Sequence, residues 1–191
     1  ISDPFHSDST IGVVSALYPD ISVVHVLAAD ASGNAIPFFG DSESYWGARA
    51  SKGGVIITAE NIVPTQFIRE YSAFVRIPGH MVKAVCPARF GAHPQSFFNR
   101  WIKDVVPYAE DKEFVWEQRR AAESEEKLDK WIREWVLETG NLDGYLQKLG
   151  DHRLESLKSR ANESFWQQEL ELKLEGNKQV EDFNPTEGSC C

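Results

Sequence analysis

Ile21 to Leu27 is an apolar run rich in β-branched residues that Ser22 and His25 interrupt, the pattern of a parallel strand buried on both faces. Two shorter apolar segments follow, Val55–Thr58 and Met81–Cys86, with Phe74–Ile77 as a further extended piece. Gly53-Gly54 precedes the second strand, Pro87 ends the ladder of the third, and Pro78-Gly79 is a turn. The intervening segments read as helix. Ser42 is a candidate N-cap for a helix to Lys52 with Tyr45, Trp46 and Arg49 at helical spacing, and Pro64–Glu70 is a short second helix. Strands alternating with helices predict an α/β fold. Asp30-Ala-Ser-Gly-Asn34 is a turn in which Gly33 and Asn34 tolerate positive φ. Asp30 and Asn34 are suited either to capping that turn or to touching a ligand.

After Trp101 the texture changes. Up to that residue there are 7 Lys and Arg against 8 Asp and Glu; from Ile102 onward there are 13 against 21. The acidity is therefore concentrated in the second half. Asp111–Gln118 begins a helical pattern, and Ser124–Glu138 is strongly amphipathic, with Leu128, Trp131, Ile132 and Trp135 on one stripe. Gly140 closes it. Asn141–Leu149 and Asp151–Glu175 are two further helices separated by Gly150, the last with Leu154, Leu157, Ala161, Phe165 and Leu172 on one face. Asn177–Cys191 is a polar tail with Pro and Gly. The expected organisation is an α/β core over residues 1–106, a helical region over 107–176 and a flexible tail over 177–191.

Composition removes several function classes. A formal net charge of -9 argues against nonspecific binding to nucleic acid or anionic membranes. No window approaches the ~20 apolar residues of a membrane span, and no signal peptide is visible. Three cysteines make no disulfide framework, so a reduced, cytoplasmic setting is the default. Cys86, in an apolar run, is expected to be a buried thiol. Cys190 and Cys191 lack the upstream basic stretch of a prenylation signal and read as an exposed tail. No phosphate-binding Gly-rich motif, nucleophile elbow, HExxH or Cys/His zinc spacing is present, so no metal is expected.

The chemistry that remains is concentrated in the loop Arg89–Asn99, which leaves an apolar strand for a polar turn with Gly91, His93 and Pro94. Arg89 suits a bidentate contact to phosphate or carboxylate or a surface ion pair. His93 suits a hydrogen bond to an acyl group or a structural role with Pro94 in shaping the loop. Ser96 and Asn99 are candidates for orienting a substrate. Glu60 follows the second strand and either contacts ligand or caps the helix beginning at Pro64. His25, within the first strand, reads as a core histidine bonded to a neighbour. The run Glu123, Glu125 and Glu126 is a solvated helix start.

Three blocks occur in order. They are Tyr18-Pro-Asp-Ile-Ser-Val-Val-His-Val-Leu-Ala-Ala-Asp30 with Ser-Gly-Asn34, Gly54-Val-Ile-Ile-Thr-Ala-Glu-Asn-Ile-Val63, and Ile77-Pro-Gly79 running on to Phe90-Gly-Ala-His-Pro94. Order and spacing resemble the A (alpha) subunit of family I, glutaconate-type coenzyme A transferases. The resemblance covers roughly the first hundred residues and continues as a helical pattern around Trp135 and Tyr145–Leu149. It implies an open α/β/α sandwich, here lacking its N-terminal part, and a helical C-terminal region. It implies transfer of CoA between an acyl-CoA and a free carboxylic acid. The nucleophilic glutamate is expected on a partner B (beta) subunit, so no catalytic residue is assigned in this chain. His93, Ser96, Arg89, Asn99 and Glu60 are expected on the acyl side of a hetero-oligomer interface. A CoA-thioester ring hydrolase of the same fold and a non-catalytic interaction module are the alternatives. Asp3-Pro-Phe-His6 replaces a Cys-Pro-Phe-Thr-like stretch of the family, and Phe97, Phe98, Asn99 and Trp101 imply a bulkier, more aromatic pocket.

Overall fold

The β-branched runs fold as strands and the periodic segments as helices. The computed structural model of the chain describes residues 3–6, 9–38, 43–99 and 102–161. The chain divides into two compact units between Arg89 and Phe90.

In the first unit the elements are β1 (Ser22–Ala29), β2 (Ala35–Ile36), α1 (Glu43–Ala50), β3 (Val55–Ile62), α2 (Thr65–Glu70) and β4 (Val82–Pro87). The sheet order is β2-β1-β3-β4, with β1, β3 and β4 parallel and β2 antiparallel to β1. Side chains alternate across a strand. Val24 and Val26 of β1 therefore share a face with Val55, Ile57 and Ala59 of β3, and that face is the core, joined by Ala48 of α1 and by Ile77. Full burial of each such Val or Ile is worth about 1.5–3 kcal/mol. The opposite face carries Val23, which is 66 % exposed, and the half-buried His25, Ile56 and Thr58.

The structure corrects four local expectations. Strand β1 is covered on one face along its first half rather than on both. Strand β3 runs to Ile62, because its ladder with β1 continues to Ala29, so Glu60 lies inside the strand and caps no helix. The Phe74–Ile77 segment begins as a 3-10 turn over Ser72–Phe74, and only Ile77 is bridged, to Ala35. Cys86 is exposed, because among the described residues β4 is an outer strand of the sheet with no neighbour on its far side.

Two backbone constraints fix the unit. Gly54 has φ +97, and a Cβ there would stand 2.8 Å from the Met81 carbonyl oxygen, so the residue before β3 is restricted to glycine. The turn after β1 is built on Asp30, fully buried, whose Oδ1 accepts from the amides of Ser32 and Asn34 at 3.0 and 2.9 Å. The Asn34 side chain donates to the same carboxylate and accepts from the Gly79 amide at 3.0 Å. Burial pushes the Asp30 carboxyl up, but the bonds from Asn34 and Ser32 outweigh it and hold the group below its ordinary value. Capping is thus the role the structure gives Asp30.

In the second unit, Phe97 and Tyr108 form an antiparallel bridge. The helices are α3 (Lys112–Ala121), α4 (Glu125–Ile132), which continues as a π turn over Arg133–Leu137, and α5 (Leu142–Leu149), followed by a helix over 151–161. Asp111, Ser124 and Asn141 cap α3, α4 and α5 by accepting from the amides three residues on. Gly150, at φ +82, separates α5 from the last helix. Leu146, Leu149, Leu154, Leu157 and Ala161 pack inward. The stripe on α4 is shallower than its periodicity implies: Trp131 and Trp135 are half-buried with their rings against Phe114, and Ile132 is 36 % exposed. The expected N-cap Ser42, Trp101, the helix beyond residue 161 with Phe165 and Leu172, the tail and Cys190-Cys191 lie outside the described residues.

Asp30→Ala is expected to destabilise the protein by about 1.5–3 kcal/mol, because it strands buried donors that bond a charged group. Asp30→Asn, which keeps an acceptor oxygen, should cost less. Urea denaturation of the two variants beside the parent chain measures the difference; equal stability of all three would contradict this role.

Candidate functional site

The second unit is organised around the loop that begins at Phe90. Its side chain is buried, with ring centroids 4.5 Å from Tyr108, and its φ is 58°. The Tyr108 hydroxyl accepts from the Ala92 amide at 3.1 Å. The His93 side chain is fully buried. Its Nε2 lies 3.1 Å from Asp111 Oδ2 and its Nδ1 lies 2.6 Å from the Tyr145 hydroxyl. An ionised carboxylate only accepts, so Nε2 carries the proton, and in the neutral ring Nδ1 accepts from Tyr145. Burial lowers the His93 pKa and outweighs the opposing pull of Asp111. Burial likewise pushes the Tyr145 hydroxyl up to about 12, which keeps it a donor.

Asp111 joins these groups to two helices. Its Oδ1 accepts from the Phe114 amide at 3.1 Å, at the start of α3. Arg153, from the last helix, donates Nε to Oδ2 at 2.6 Å and Nη2 to Oδ1 at 3.0 Å, a bidentate pair. The Asp111 amide donates to the Pro94 carbonyl at 2.9 Å, which returns the network to the loop. Burial raises the carboxyl, but the bonds from Arg153, Phe114 and His93 prevail and hold it down at about 2.

The other expected site residues have different surroundings. Asn99 donates Nδ2 to the carbonyls of Ile102 and Val105, both at 2.6 Å, and accepts from the Ile102 amide at 3.1 Å, so its amide closes a loop. Ser96 is half-buried and Arg89 is exposed, at the end of the first unit. Phe97 is buried against Tyr108, whereas Phe98 is 58 % exposed. Glu60 lies in the first unit, its side chain 4 % exposed, with Oε1 2.9 Å from His25 Nε2. His25 Nδ1 is 3.0 Å from the Thr58 hydroxyl. Sequence reasoning named His93 and Glu60 but not Asp111, Tyr145, Arg153 or Thr58. The first three are far downstream of His93 in the chain, and only the helix packing brings them to the loop. Among the described residues no group of three or more His, Cys, Asp or Glu is placed to hold a metal ion. No described helix is long and apolar enough to cross a membrane.

No family model matches the sequence. The A (alpha) subunit of glutaconate CoA-transferase from Acidaminococcus fermentans is 30 % identical over 158 residues, 83 % of this chain and 47 % of the relative. An uncharacterised protein of Archaeoglobus fulgidus is 33 % identical over 159 residues, 83 % of this chain and 34 % of the relative. The crystal structure of glutaconate coenzyme A-transferase from A. fermentans aligns with a TM-score of 0.69 and 29 % identity, covering 83 % of this chain and 47 % of that one. This chain is a homologue of the alpha subunit of glutaconate CoA-transferase. It spans about half the length, or less, of the curated relatives it matches. The expected α/β fold is thereby established for this alpha-subunit homologue.

The pH dependence of the alpha-subunit homologue follows from its network. The depressed His93 pKa means the unfolded chain takes up a proton first on acidification, so stability falls below the ordinary histidine value near ~6.5. Asp111 adds a second loss as pH falls from about 4 to about 2. Tyr145 acts on the alkaline side, where stability is lost as pH rises from about 10 to about 12. Asp111→Ala should cost about 1.5–3 kcal/mol at neutral pH, because it removes the charged acceptor of the Arg153, His93 and Phe114 donors. Thermal melts of parent and variant from about pH 2 to about pH 11, followed by tryptophan fluorescence, should show the loss below about pH 4 flattened in Asp111→Ala. Parallel acid limbs in the two proteins would contradict the role given to this carboxylate.

Proposed function

We propose that this chain is the alpha-subunit part of a heteromeric CoA transferase that moves CoA between an acyl-CoA and a free carboxylic acid. The observation that carries the proposal is the fold and sequence shared with the alpha subunit of glutaconate CoA-transferase across 83 % of the chain. The nucleophile is a glutamate of a second, beta-type subunit. Its carboxylate attacks the thioester carbonyl and the CoA thiolate leaves, giving a mixed anhydride. The thiolate then attacks the glutamyl carbonyl, leaving an enzyme-bound CoA thioester and the free acid. The acceptor acid completes the exchange by the reverse steps. This chain supplies part of the acyl pocket. CoA enters as substrate, and no metal takes part. The reducing cytoplasm is the compartment that suits both acyl-CoA and the free thiol of Cys86.

On the second unit, Ser96 is the substrate contact, its hydroxyl directed to the acyl group. On the first, Arg89 offers its guanidinium to a carboxylate or phosphate. His93 and Asn99 act through the loop: the buried His93 network and the Asn99 amide bonds hold its backbone so that Ser96 is presented in one geometry. Glu60 acts with its histidine neighbour on the first unit. The partner covers the apolar surface that the first unit leaves open, including Val14, 96 % exposed, and Leu17, 80 % exposed.

The test is CoA transfer measured for the purified chain alone and after co-expression with a beta-type subunit. The chain alone should show no transfer, and the complex should be active. Ser96→Ala in the complex should lower kcat/KM by roughly 5- to 150-fold with the melting point unchanged, the rate equivalent of a lost hydrogen bond of about 1–3 kcal/mol. His93→Ala should lower the melting point as well as the rate. Transfer by the chain alone, abolished by Glu60→Gln, would overturn the assignment of the nucleophile to a partner.

A further inference from the structure

The first unit carries a second cluster, around the Glu60–His25 pair, whose Thr58 hydroxyl has no part in CoA transfer by a partner's glutamate. Strands β1 and β3 are mostly Val, Ile, Leu and Ala, yet the face away from the core holds Thr58, His25 and Glu60 together. His25 and Thr58 are direct partners across the parallel ladder, and Glu60 is the next residue on that face of β3. The hydrogen bonds run in one line. Glu60 Oε1 is 2.9 Å from His25 Nε2, and His25 Nδ1 is 3.0 Å from Thr58 Oγ1. The Glu60 side chain is 4 % exposed and that of His25 19 %, and Thr58, which ends the line on the other side of the ring, is half-buried.

Those roles follow from donor and acceptor chemistry. A carboxylate accepts only, so Nε2 bears a proton directed at Glu60. In the neutral ring Nδ1 is then an acceptor, and the Thr58 hydroxyl is the donor that faces it. A hydroxyl bonded to an imidazole, which is itself oriented by a buried carboxylate, is the arrangement that activates an oxygen nucleophile. The Phe38 ring, 5.7 Å from that of His25, shields one side of the imidazole.

We infer that Glu60, His25 and Thr58 form a relay that makes the Thr58 hydroxyl an acceptor for activated acyl groups. The substrate class, an ester or thioester, rests on the proposed function only where it extends to acyl-CoA. Thr58 Oγ1 attacks the acyl carbonyl as its proton passes to His25 Nδ1, and the imidazolium is held by Glu60. The carbon–sulfur or carbon–oxygen bond of the donor then breaks, and the leaving thiolate or alkoxide takes the proton from His25. The products are an acyl-threonine ester and a free thiol or alcohol. The ladders of β3 to β1 and to β4 include Thr58 on both sides, so its own amide is engaged in the sheet rather than aimed at the developing oxyanion. The reaction is therefore read as acylation that accumulates, not as rapid turnover.

The experiment treats the full chain with p-nitrophenyl acetate and, separately, with acetyl-CoA, and locates acetyl groups by peptide mass spectrometry. Acetylation of Thr58 is expected with the ester, and with the thioester where the CoA reading also holds. Labelling of Thr58 should disappear in Thr58→Val, which has nearly the same shape. It should slow on the order of 100-fold in His25→Phe, the contribution of a positioned general base, and less in Glu60→Gln, whose amide oxygen still accepts from Nε2. Circular-dichroism melts establish that each variant is folded. An unlabelled parent chain, a label on Cys86 or on lysines only, or a rate on Thr58 unchanged by His25→Phe and Glu60→Gln would overturn the relay. CoA transfer in the two-subunit enzyme uses the partner's glutamate, so that reading and this one fail in separate assays.

Discussion

The second unit depends on one buried carboxylate. Asp111 is 1 % exposed and binds the α3 amide of Phe114, the guanidinium of Arg153 and the ring of His93, while its own amide holds the Pro94 carbonyl. An unpaired buried carboxylate would cost several kcal/mol. The cost is met because a helix N-terminus and a bidentate arginine converge on it, both favouring negative charge. With Asp111 ionised, His93 is obliged to direct its Nε2–H at it, and the other ring nitrogen turns to Tyr145. One side chain thus fixes the tautomer of another and joins the loop from Phe90 to Asn99 to α3, α5 and the last helix.

This explains why a loop rich in chemically versatile residues is held so firmly. Ser96 and Phe98 are at or near the surface, but the residues between and around them are committed: Phe90 and Phe97 to the aromatic cluster with Tyr108, Asn99 to the carbonyls of Ile102 and Val105. If Ser96 contacts substrate as proposed, this over-determined backbone would hold it in one geometry. The histidine that attracted notice as a titratable group serves by staying neutral and buried.

The strands were legible because an apolar β-branched run has few other fates, and the helix starts because the periodic segments begin at Asp111, Ser124 and Asn141, whose capping role only the structure shows. The three blocks ending in Phe90-Gly-Ala-His-Pro94 pointed to the alpha subunit of which the comparisons show this chain to be a homologue. What could not be read was set by tertiary contact. Glu60 looked like a residue beyond a strand because its polarity interrupts the apolar pattern, but pairing with β1 carries β3 past it to Ile62. Cys86 looked buried because its neighbours are apolar, but β4 is an outer strand among the described residues and leaves most of its residues exposed. The Thr58–His25–Glu60 row was hidden because it requires the register of two strands whose paired residues stand 33 apart in sequence.

The claim on which the second unit's account rests is that His93 is a neutral ring with its proton on Nε2, locked between Asp111 and Tyr145. Long-range nitrogen–proton correlation spectra of the histidine-labelled protein at neutral pH report this directly, through the chemical shifts of the two ring nitrogens. The account predicts a protonated Nε2, an unprotonated Nδ1 and a slowly exchanging Nε2 proton that is lost from the spectrum in Asp111→Ala. A ring averaging between tautomers, or an imidazolium with both nitrogens protonated at neutral pH, would contradict it.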